Sequence, residues 1–377
     1  MKEKATMHGM SEQMTRVAEA IRAIEAGEMV VVTDDDDREN EGDLVLAAVH
    51  ATPQALAFIV RHTSGIVCTP MTREDARRLR LDPMVADNDA PHSTAFTVSV
   101  DFKHGTTTGI SAEDRCNTVR ALANSNIGAQ DFVRPGHIFP LIAREGGVLM
   151  RSGHTEAAVD LCRLANLPPV GVICELVNDD GTVMRGPQVT EFSSQHGLKM
   201  VSVADLIAYR QQQETLVSRV EDAFIETAGG RARAISYSTP WDAMQHLALI
   251  FGDIRDGVDV PVRLHLEDVA SDVFGSGRYI NSIVKEFGGI GRGIVVYLRE
   301  GSVGVQSGRS RRSREGIEEE HGTALNRQEQ WREIGLGAQI LRDLGVRSIR
   351  LYTTRSRNYV GLDGFGIEIT STEIIKR

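Results

Sequence analysis

The sequence predicts an α+β protein, in which a mixed sheet covered by helices is followed by a second domain of the α/β type. Along the chain, short apolar runs of strand length alternate with amphipathic segments of helix length. Some neighbouring apolar runs are joined by short polar turns, and such hairpins favour a mixed sheet over a strictly parallel one. A chain of 377 residues is too long for one hydrophobic core. We therefore predict two domains, at residues 1–210 and 211–377.

The predicted elements of the first domain follow from local signals at their ends and from the spacing of apolar residues. Thr52 before Pro53, and Ser111 before a polar segment, are typical N-caps, whereas Gly27 and Pro168 are typical of helix ends. β-Branched runs and the alternation in S-T-A-F-T-V-S-V-D indicate strands. The predicted helices span residues 15–27, 52–61, 72–81, 111–124, 155–165 and 204–209, and the predicted strands span residues 30–32, 44–48, 65–69, 93–101, 147–150 and 170–177.

The predicted second domain shows the same alternation after a polar linker at Gln211–Gln213. Its predicted strands span residues 232–236, 260–265, 293–298 and 348–352, and its predicted helices span residues 241–251 and 334–344. Residues 307–321 carry arginines followed by glutamates with few apolar side chains, which predicts a solvated loop.

Composition and charge exclude several classes of partner. A formal net charge of −10 argues against a general nucleic-acid or anionic-membrane partner. There is no run of 18 apolar residues and no signal-peptide core after the charged N-terminal segment, which predicts a cytoplasmic protein with no membrane partner. The four cysteines, Cys68, Cys116, Cys162 and Cys174, form no CxxC pair and are predicted to be reduced thiols.

The most informative stretch runs V-V-V-T-D-D-D-D-R-E-N-E-G-D-L-V-L-A-A from Val30 to Ala48. Two apolar strands flanking an acidic loop would hold several carboxylates at the ends of a rigid sheet, where a hard cation and a small polar substrate can bind. A solvated turn is the alternative for any acidic loop. The mixed-sign cluster of Arg38, Glu39 and Asp43 favours a functional site.

A second informative stretch, Arg134–Thr155, contains a histidine at each end. His137 follows Pro-Gly and is predicted to lie in a turn. Backbone N–H groups at the predicted helix start, together with Arg151 and Thr155, would form a phosphate cradle, and His154 in the same turn could ligate a metal. A plain helix cap is the alternative for this turn taken alone.

Together these motifs resemble the 3,4-dihydroxy-2-butanone 4-phosphate synthase family, in that family's order and over about residues 15–205. The residues that carry the resemblance are D-D-D-R-E-N-E-G-D-L, T-S-G-I-V-C-T-P-M, H-S-T-A-F-T-V-S-V-D, T-G-I-S-A-E-D-R, R-P-G-H-I-F-P-L and R-S-G-H-T-E-A-A-V-D-L. The resemblance implies a lyase of riboflavin biosynthesis that converts ribulose 5-phosphate into dihydroxybutanone phosphate and formate. It also implies Mg²⁺ or Mn²⁺, an α+β fold, and homodimers with sites near the subunit interface.

The resemblance implies roles for individual residues. The implied metal ligands are Glu39 and His154. The implied catalytic residues are His137, Glu175, Asp43 and Glu41. The implied substrate-binding residues are Arg38, Glu39, Asp43, Arg151, Ser152, Gly153, His154, Thr155, Glu175, Thr108 and Cys68.

The chemistry of the implied reaction agrees with these residue types. Enolisation beside a ketone, loss of a hydroxyl, a carbon shift and expulsion of formate require several proton transfers, hence carboxylates together with a histidine. A divalent cation can stabilise the enolates as a Lewis acid, and two protein ligands leave room for substrate oxygens and water. Glu41 and Asp43 are both candidates for the main base.

The second half, over about residues 230–370, is similar to GTP cyclohydrolase II but departs from it. The motifs that carry the similarity are P-V-R-L-H-L-E-D, S-D-V-F-G-S-G-R, G-R-G-I-V-V-Y-L-R, G-L-G-A-Q-I-L-R-D-L-G-V and G-L-D-G-F-G-I-E-I. That family holds zinc with three cysteines, which here fall at Asp268, Tyr279 and Asn281, and no cysteine follows Cys174. Because zinc favours thiolate and imidazole ligands, we predict no zinc and an inactive second domain. The alternative is a bifunctional enzyme that retains GTP cyclohydrolase II activity.

Overall fold

The computed structural model describes residues 2–34, 40–90, 94–240, 242–269, 272–273, 278–299, 335–354 and 366–375. By contacts, the chain divides into two compact units, Met1–Tyr209 and Arg210–Arg377. Within the described residues, no helix has both the length and the apolar character needed to cross a membrane.

Three helices of the first unit begin where the sequence supplies a side-chain cap. The hydroxyls of Thr52, Thr72 and Ser111 each accept a hydrogen bond from the backbone N–H three residues later, at 3.0–3.1 Å. The helices are α1 (Lys2–Glu25), α2 (Pro53–His62), α3 (Arg73–Arg78), α4 (Ala112–Leu122), α5 (His154–Leu164), α6 (Pro187–His196) and α7 (Val203–Gln213). The strands are β1 (Val30–Thr33), β2 (Gly42–Ala47), β3 (Cys68–Met71), β4 (Val100–Phe102), β5 (Phe132–Ile142), β6 (Gly171–Glu175) and β7 (Lys199–Ser202).

The strands of the first unit form one mixed sheet in the order β4-β5-β3-β6-β2-β1-β7. β3 pairs with β5, and β1 with β7, in parallel, whereas the remaining neighbours are antiparallel. The predicted α+β fold with a mixed sheet is confirmed.

The centre of this sheet is covered on both faces, because all six residues of β2 are buried. Leu44 and Leu46 share one core with residues of α2, α4 and α6. α5 packs against β2, β3 and β6, and its first residue, His154, lies beside Asp43, whose side chain alternates with those of Leu44 and Leu46. The helix that carries His154 is therefore held over the face of the sheet that carries Asp43.

Two predictions for the stretch after residue 130 were wrong. His137 lies within strand β5 rather than in a turn. Residues Gly147–Leu149 form a 3₁₀ helix rather than a strand. Gly146 and Gly147 adopt φ of 87° and 63°, which extended strands do not allow, and a Cβ on Gly147 would collide with the carboxylate of Asp160.

Other boundaries of the first unit also differ from prediction. α1 begins at Lys2, well before the predicted start at residue 15. Of the strand predicted at residues 93–101, only the end enters β4, although Phe96 and Thr97 form isolated bridges. Gln211–Gln213, predicted to be a linker, form the last turn of α7.

The second unit is built on another mixed sheet, in the order β14-β13-β11-β12-β10-β9-β8. Pairing is parallel from β14 to β12 and antiparallel from β12 to β8. The strands are β8 (Ser218–Thr227), β9 (Gly230–Thr239), β10 (Asp242–Gly252), β11 (Val260–Leu266), β12 (Arg292–Leu298), β13 (Ser348–Thr353) and β14 (Glu368–Ile374), and the described helices are α8 (Arg278–Ile290) and α9 (335–343).

The helix predicted at residues 241–251 was wrong, since β10 occupies this segment and pairs with β9 and β12. Its good helix formers, as in A-M-Q-H-L-A-L, favoured a helix. The observed burial has a period of two, with His246, Ala248 and Ile250 buried, because sheet pairing overrides the local preference. The loop predicted at residues 307–321 lies outside the described residues.

Candidate active site

Two carboxylates face each other across the centre of the first sheet. Asp43 of β2 is directly opposite Glu175 of β6 in the antiparallel register, so both side chains emerge on the same face. Asp43 is only 2% exposed, and Glu175 is half-buried at the strand end. Gly42 precedes Asp43 because a Cβ there would press into Val189 of α6. The close packing of β2 against α6 on the opposite face therefore fixes the position of Asp43.

An imidazole completes this group. His154 is the first residue of α5, is 7% exposed, and places Nδ1 3.7 Å from Oδ1 of Asp43. The N-cap, Gly153, provides no side-chain cap, so the N-terminal end of α5 presents its backbone and the side chains of its first turn. The predicted association of the acidic stretch with R-S-G-H-T is therefore seen between Asp43 and His154.

Two cysteines border the same carboxylates, and both are protonated at neutral pH. Burial raises the pKa of the Cys68 thiol well above its ordinary value, and the charges of Glu175, Cys174 and Asp43 raise it further. Burial raises the pKa of Cys174 to about 11, although hydrogen bonds from Ser64 and Thr63 oppose the shift. Cys68 therefore lines the group as a neutral thiol rather than as a thiolate nucleophile.

The remaining carboxylates near Asp43 have different partners. Glu175 Oε2 accepts a 2.8 Å hydrogen bond from the hydroxyl of Ser64. Glu41 Oε1 accepts a 3.0 Å hydrogen bond from the guanidinium of Arg185, an exposed residue. Of the two candidate bases, Asp43 is therefore the one buried beside the imidazole.

The guanidinium of Arg151 is anchored within the protein. It donates to Glu156 Oε2 at 2.6 Å and to the hydroxyl of Thr94 at 2.9 Å. Glu156 is 1% exposed, and its other oxygen accepts the backbone N–H of Arg144. Arg151 thus fixes the turn that contains Ser152, Gly153 and Thr155, in addition to any contact it makes with a ligand.

A second group of predicted residues surrounds His137 on β5. Its backbone N–H donates to Asp101 Oδ1 at 2.8 Å, and its Nδ1 lies 2.7 Å from Asp101 Oδ2. Thr108 is exposed in the loop between β4 and α4. The backbone N–H groups of Thr107 and Gly109 donate to the Asp114 carboxylate and so hold this loop. The hydrogen bonds from Thr107 hold the pKa of Asp114 below its usual range, so the carboxylate that ties this loop is ionised.

Asp101 was not predicted from the sequence to belong to the site. The signal was present, because this residue ends the alternating run S-T-A-F-T-V-S-V-D. A carboxylate at the end of a strand does not, however, reveal which residue of a distant strand it meets.

The two groups are separated along the sheet. β3 and β6 lie between β5, which carries His137, and β2, which carries Asp43. Three inter-strand steps of about 4.8 Å place these two backbones about 14 Å apart. The predicted residues Arg38 and Glu39 lie outside the described residues. Among the residues that are described, no group of three or more histidine, cysteine, aspartate or glutamate side chains is arranged to hold a metal.

In the second unit, other residues occupy the positions that the resemblance to GTP cyclohydrolase II aligns with zinc-binding cysteines. Asp268 follows β11, and its backbone N–H donates to Asp272 Oδ2 at 3.0 Å. His265 Nε2 and the hydroxyl of Tyr297 contact the same carboxylate at 2.9 and 2.8 Å. Burial raises the Asp272 pKa, but the hydrogen bonds from His265 and Asp268 outweigh it and hold the pKa below its usual value. Asn281 is exposed on α8.

The first unit is an α+β fold that places carboxylates and a buried imidazole at one face of a mixed sheet. Comparisons with known proteins then specify the family. The family model for 3,4-dihydroxy-2-butanone 4-phosphate synthase matches residues 18–209, and that for GTP cyclohydrolase II matches residues 218–374. The chain belongs to the family in which a synthase domain of riboflavin biosynthesis is fused to a GTP cyclohydrolase II domain.

Relatives match over both domains. The riboflavin biosynthesis protein RibBA of Nocardia farcinica is 47% identical over 95% of this chain and 90% of its own length. An Arabidopsis thaliana relative named as bifunctional (RIBA 1, chloroplastic) is 49% identical over 94% of this chain and 67% of its own length. Another from that plant, named as monofunctional (RIBA 2, chloroplastic), is 47% identical over 94% of this chain and 75% of its own length.

Solved structures agree with this assignment. RibBX from A. baumannii, described as a two-domain 3,4-dihydroxy-2-butanone 4-phosphate synthase, matches with a TM-score of 0.80 at 36% identity, over 95% of this chain and 99% of that one. A synthase described in complex with two magnesium ions matches with a TM-score of 0.51 at 45% identity, over 52% of this chain and 97% of that one.

Proposed function

We propose that this protein is a 3,4-dihydroxy-2-butanone 4-phosphate synthase, a carbon–carbon lyase that converts ribulose 5-phosphate into 3,4-dihydroxy-2-butanone 4-phosphate and formate. The observation that carries the proposal is the buried Asp43 carboxylate, which faces Glu175 in register and lies 3.7 Å from the His154 imidazole. In this proposal, residues 1–210 form the synthase domain and residues 211–377 the GTP cyclohydrolase II-like domain.

Each side chain of the first group has a proposed task. Asp43 accepts a proton from the carbon next to the substrate ketone, since it is the buried carboxylate beside the imidazole. Glu175, held by Ser64, exchanges protons with the substrate hydroxyls. The turn from Arg151 to Thr155 receives the phosphate at the start of α5, where backbone N–H groups and the helix dipole favour an anion.

A divalent cation fits the donor set around Asp43. His154 supplies a buried nitrogen donor beside a carboxylate, and Glu39, outside the described residues, is the proposed second ligand. Bound there, Mg²⁺ or Mn²⁺ would supply Lewis-acid stabilisation of enolate charge.

We further propose that the complete site requires a homodimer. The two groups of one copy lie on strands about 14 Å apart, and a site at a subunit interface can bring groups from different copies together. His137 is 41% exposed and Thr108 is exposed, as expected of residues that face a second copy. In this arrangement, one copy supplies Asp43 and His154, and the other supplies His137 and Thr108.

Mixed dimers test this arrangement. His137→Asn should keep only a small residual activity and His154→Ala none, whereas co-expression should recover about a quarter of wild-type activity, since half of the dimers would each carry one intact site. The matched control combines His154→Ala with Asp43→Asn, which lie in the same group and should not complement. Mixed dimers demonstrated by mass but inactive in the first combination would contradict the shared site.

For the second domain we propose a cyclohydrolase fold without catalysis. Asp268, Tyr279 and Asn281 stand where the family's zinc cysteines align, and an asparagine and a tyrosine are poor ligands for Zn²⁺. The competing candidate is a bifunctional enzyme, which is favoured by the name of the RIBA 1 relative. RIBA 2 is named as monofunctional at nearly the same identity to this chain, so overall identity does not distinguish a bifunctional from a monofunctional protein.

One assay distinguishes these candidates, because both reactions release formate. Ribulose 5-phosphate and GTP are supplied in separate tubes after the metal content of the protein has been measured. We expect Mg²⁺-dependent formate from the sugar phosphate alone, abolished by His154→Ala, and no bound zinc. Formate from GTP together with about one zinc per chain would establish the bifunctional enzyme. If folded protein released no formate in either tube, the synthase proposal would be refuted.

A further inference from the structure

We propose that Asp101 is a positioning residue that sets the tautomer and orientation of His137. Both oxygens of this buried carboxylate are directed at one residue: Oδ1 accepts the His137 backbone N–H at 2.8 Å, and Oδ2 lies 2.7 Å from Nδ1. The inference rests on the proposed function, in which His137 belongs to the active site, and it gives this imidazole a part in proton transfer.

The chemistry of the two groups decides the tautomer. An ionised carboxylate only accepts hydrogen bonds, so Nδ1 carries the proton and Nε2 keeps its lone pair. Nε2 can then take a proton from a substrate hydroxyl or carbon, while the bonding electron pair stays on the substrate. The imidazolium that forms still donates its Nδ1 proton to Asp101, which stabilises the new charge.

The surrounding backbone is shaped to hold this pair. A Cβ on Gly109 would collide with both the Asp101 carboxylate and the His137 ring, and Gly109 has φ of 88°. A Cβ on Gly136 would collide with the backbone at Val100, so β4 and β5 approach closely where they carry the pair. The Gly109 backbone therefore lies against the pair, and the close approach of β4 and β5 holds its two residues together.

The same region provides a matched control. His104 Nε2 lies 3.1 Å from Asp131 Oδ1, in a second histidine–aspartate pair next to β4 and β5. His104 is 66% exposed, and its contact with Asp131 involves the other ring nitrogen. Asp131→Asn thus makes the same chemical change at a pair whose histidine is exposed and which has no proposed part in the reaction.

The direct test is the tautomer of His137, read by ¹⁵N NMR of the full-length protein and assigned with His137→Asn. In Asp101→Asn, the amide oxygen remains bound to the His137 backbone N–H, which directs the amide NH₂ towards Nδ1. We expect wild-type His137 to carry its proton on Nδ1 and the variant to carry it on Nε2. An unchanged tautomer would overturn the inference, and this readout does not depend on catalysis.

Activity provides the second test. Asp101→Asn should lower kcat for formate release from ribulose 5-phosphate by about 10²-fold or more, as when an orienting carboxylate is removed elsewhere. It should have no further effect when His137 is already asparagine, because the two residues act as a unit. Asp131→Asn should stay within about twofold of wild type, since exposed pairs contribute little.

The outcomes separate this inference from the proposed function. An equal loss of kcat from Asp101→Asn in the wild-type and His137→Asn backgrounds would show that Asp101 acts on the fold rather than through His137. If the wild-type protein lacks synthase activity but Asp101→Asn still changes the tautomer of His137, the synthase proposal is refuted and the Asp101–His137 assignment is retained.

Discussion

Asp43→Asn is expected to lower kcat for formate release by about 10³-fold while the KM for ribulose 5-phosphate changes little. Asparagine keeps the shape and burial of the side chain but cannot accept the substrate proton, and general-base groups typically contribute 10²–10⁴-fold. Asp43 is 2% exposed and lies opposite Glu175 beside the His154 imidazole, which is the position expected of the principal base. Steady-state kinetics at saturating Mg²⁺ measure this effect.

Glu41→Gln is the matched comparison, because its carboxylate also follows the acidic loop but is bound to the exposed Arg185 at 3.0 Å. We expect a loss of kcat at least about tenfold smaller than that of Asp43→Asn. The reverse order would identify Glu41 as the principal base. Calorimetry with ribulose 5-phosphate is the control for Asp43→Asn, because substrate binding by this variant would show that its site is still formed.

Arg151→Met is expected to destabilise the first unit by about 3 kcal/mol, since breaking a buried ion pair leaves an uncompensated charge. The guanidinium lies 2.6 Å from the carboxylate of Glu156, which is 1% exposed and also accepts the backbone N–H of Arg144. Methionine retains the apolar part of the side chain, so the effect reports the lost charge. Urea unfolding followed by a probe in the first unit measures it.

Arg185→Met is the control for this stability measurement. It removes an arginine of the same unit whose partner, Glu41, lies at a similar distance but whose guanidinium is exposed. Its effect on the free energy of unfolding should be below about 1 kcal/mol, as for most surface pairs. Equal destabilisation by the two substitutions would contradict a structural role for Arg151, which would then act mainly on the substrate.

Local pattern predicted the fold class because most elements obey it. The alternation of short apolar runs and amphipathic segments gave the mixed sheet, and caps such as Thr52 and Ser111 were recognised from sequence. The failures occurred where tertiary contacts override propensity. β10 is made of good helix formers, but β9 and β12 pair with it on either side and hold it extended.

The sequence by itself determined which chemical groups the protein brings to a site: an acidic stretch ending in Asp43, a turn containing His154, and a second half without cysteine. Residue types and their local order carry that information. Only the tertiary structure decided which groups meet. Asp43 faces Glu175 through strand register, and His137 meets Asp101 through the pairing of β4 with β5. Strand register depends on packing between segments far apart in the chain, and local sequence does not encode those distances.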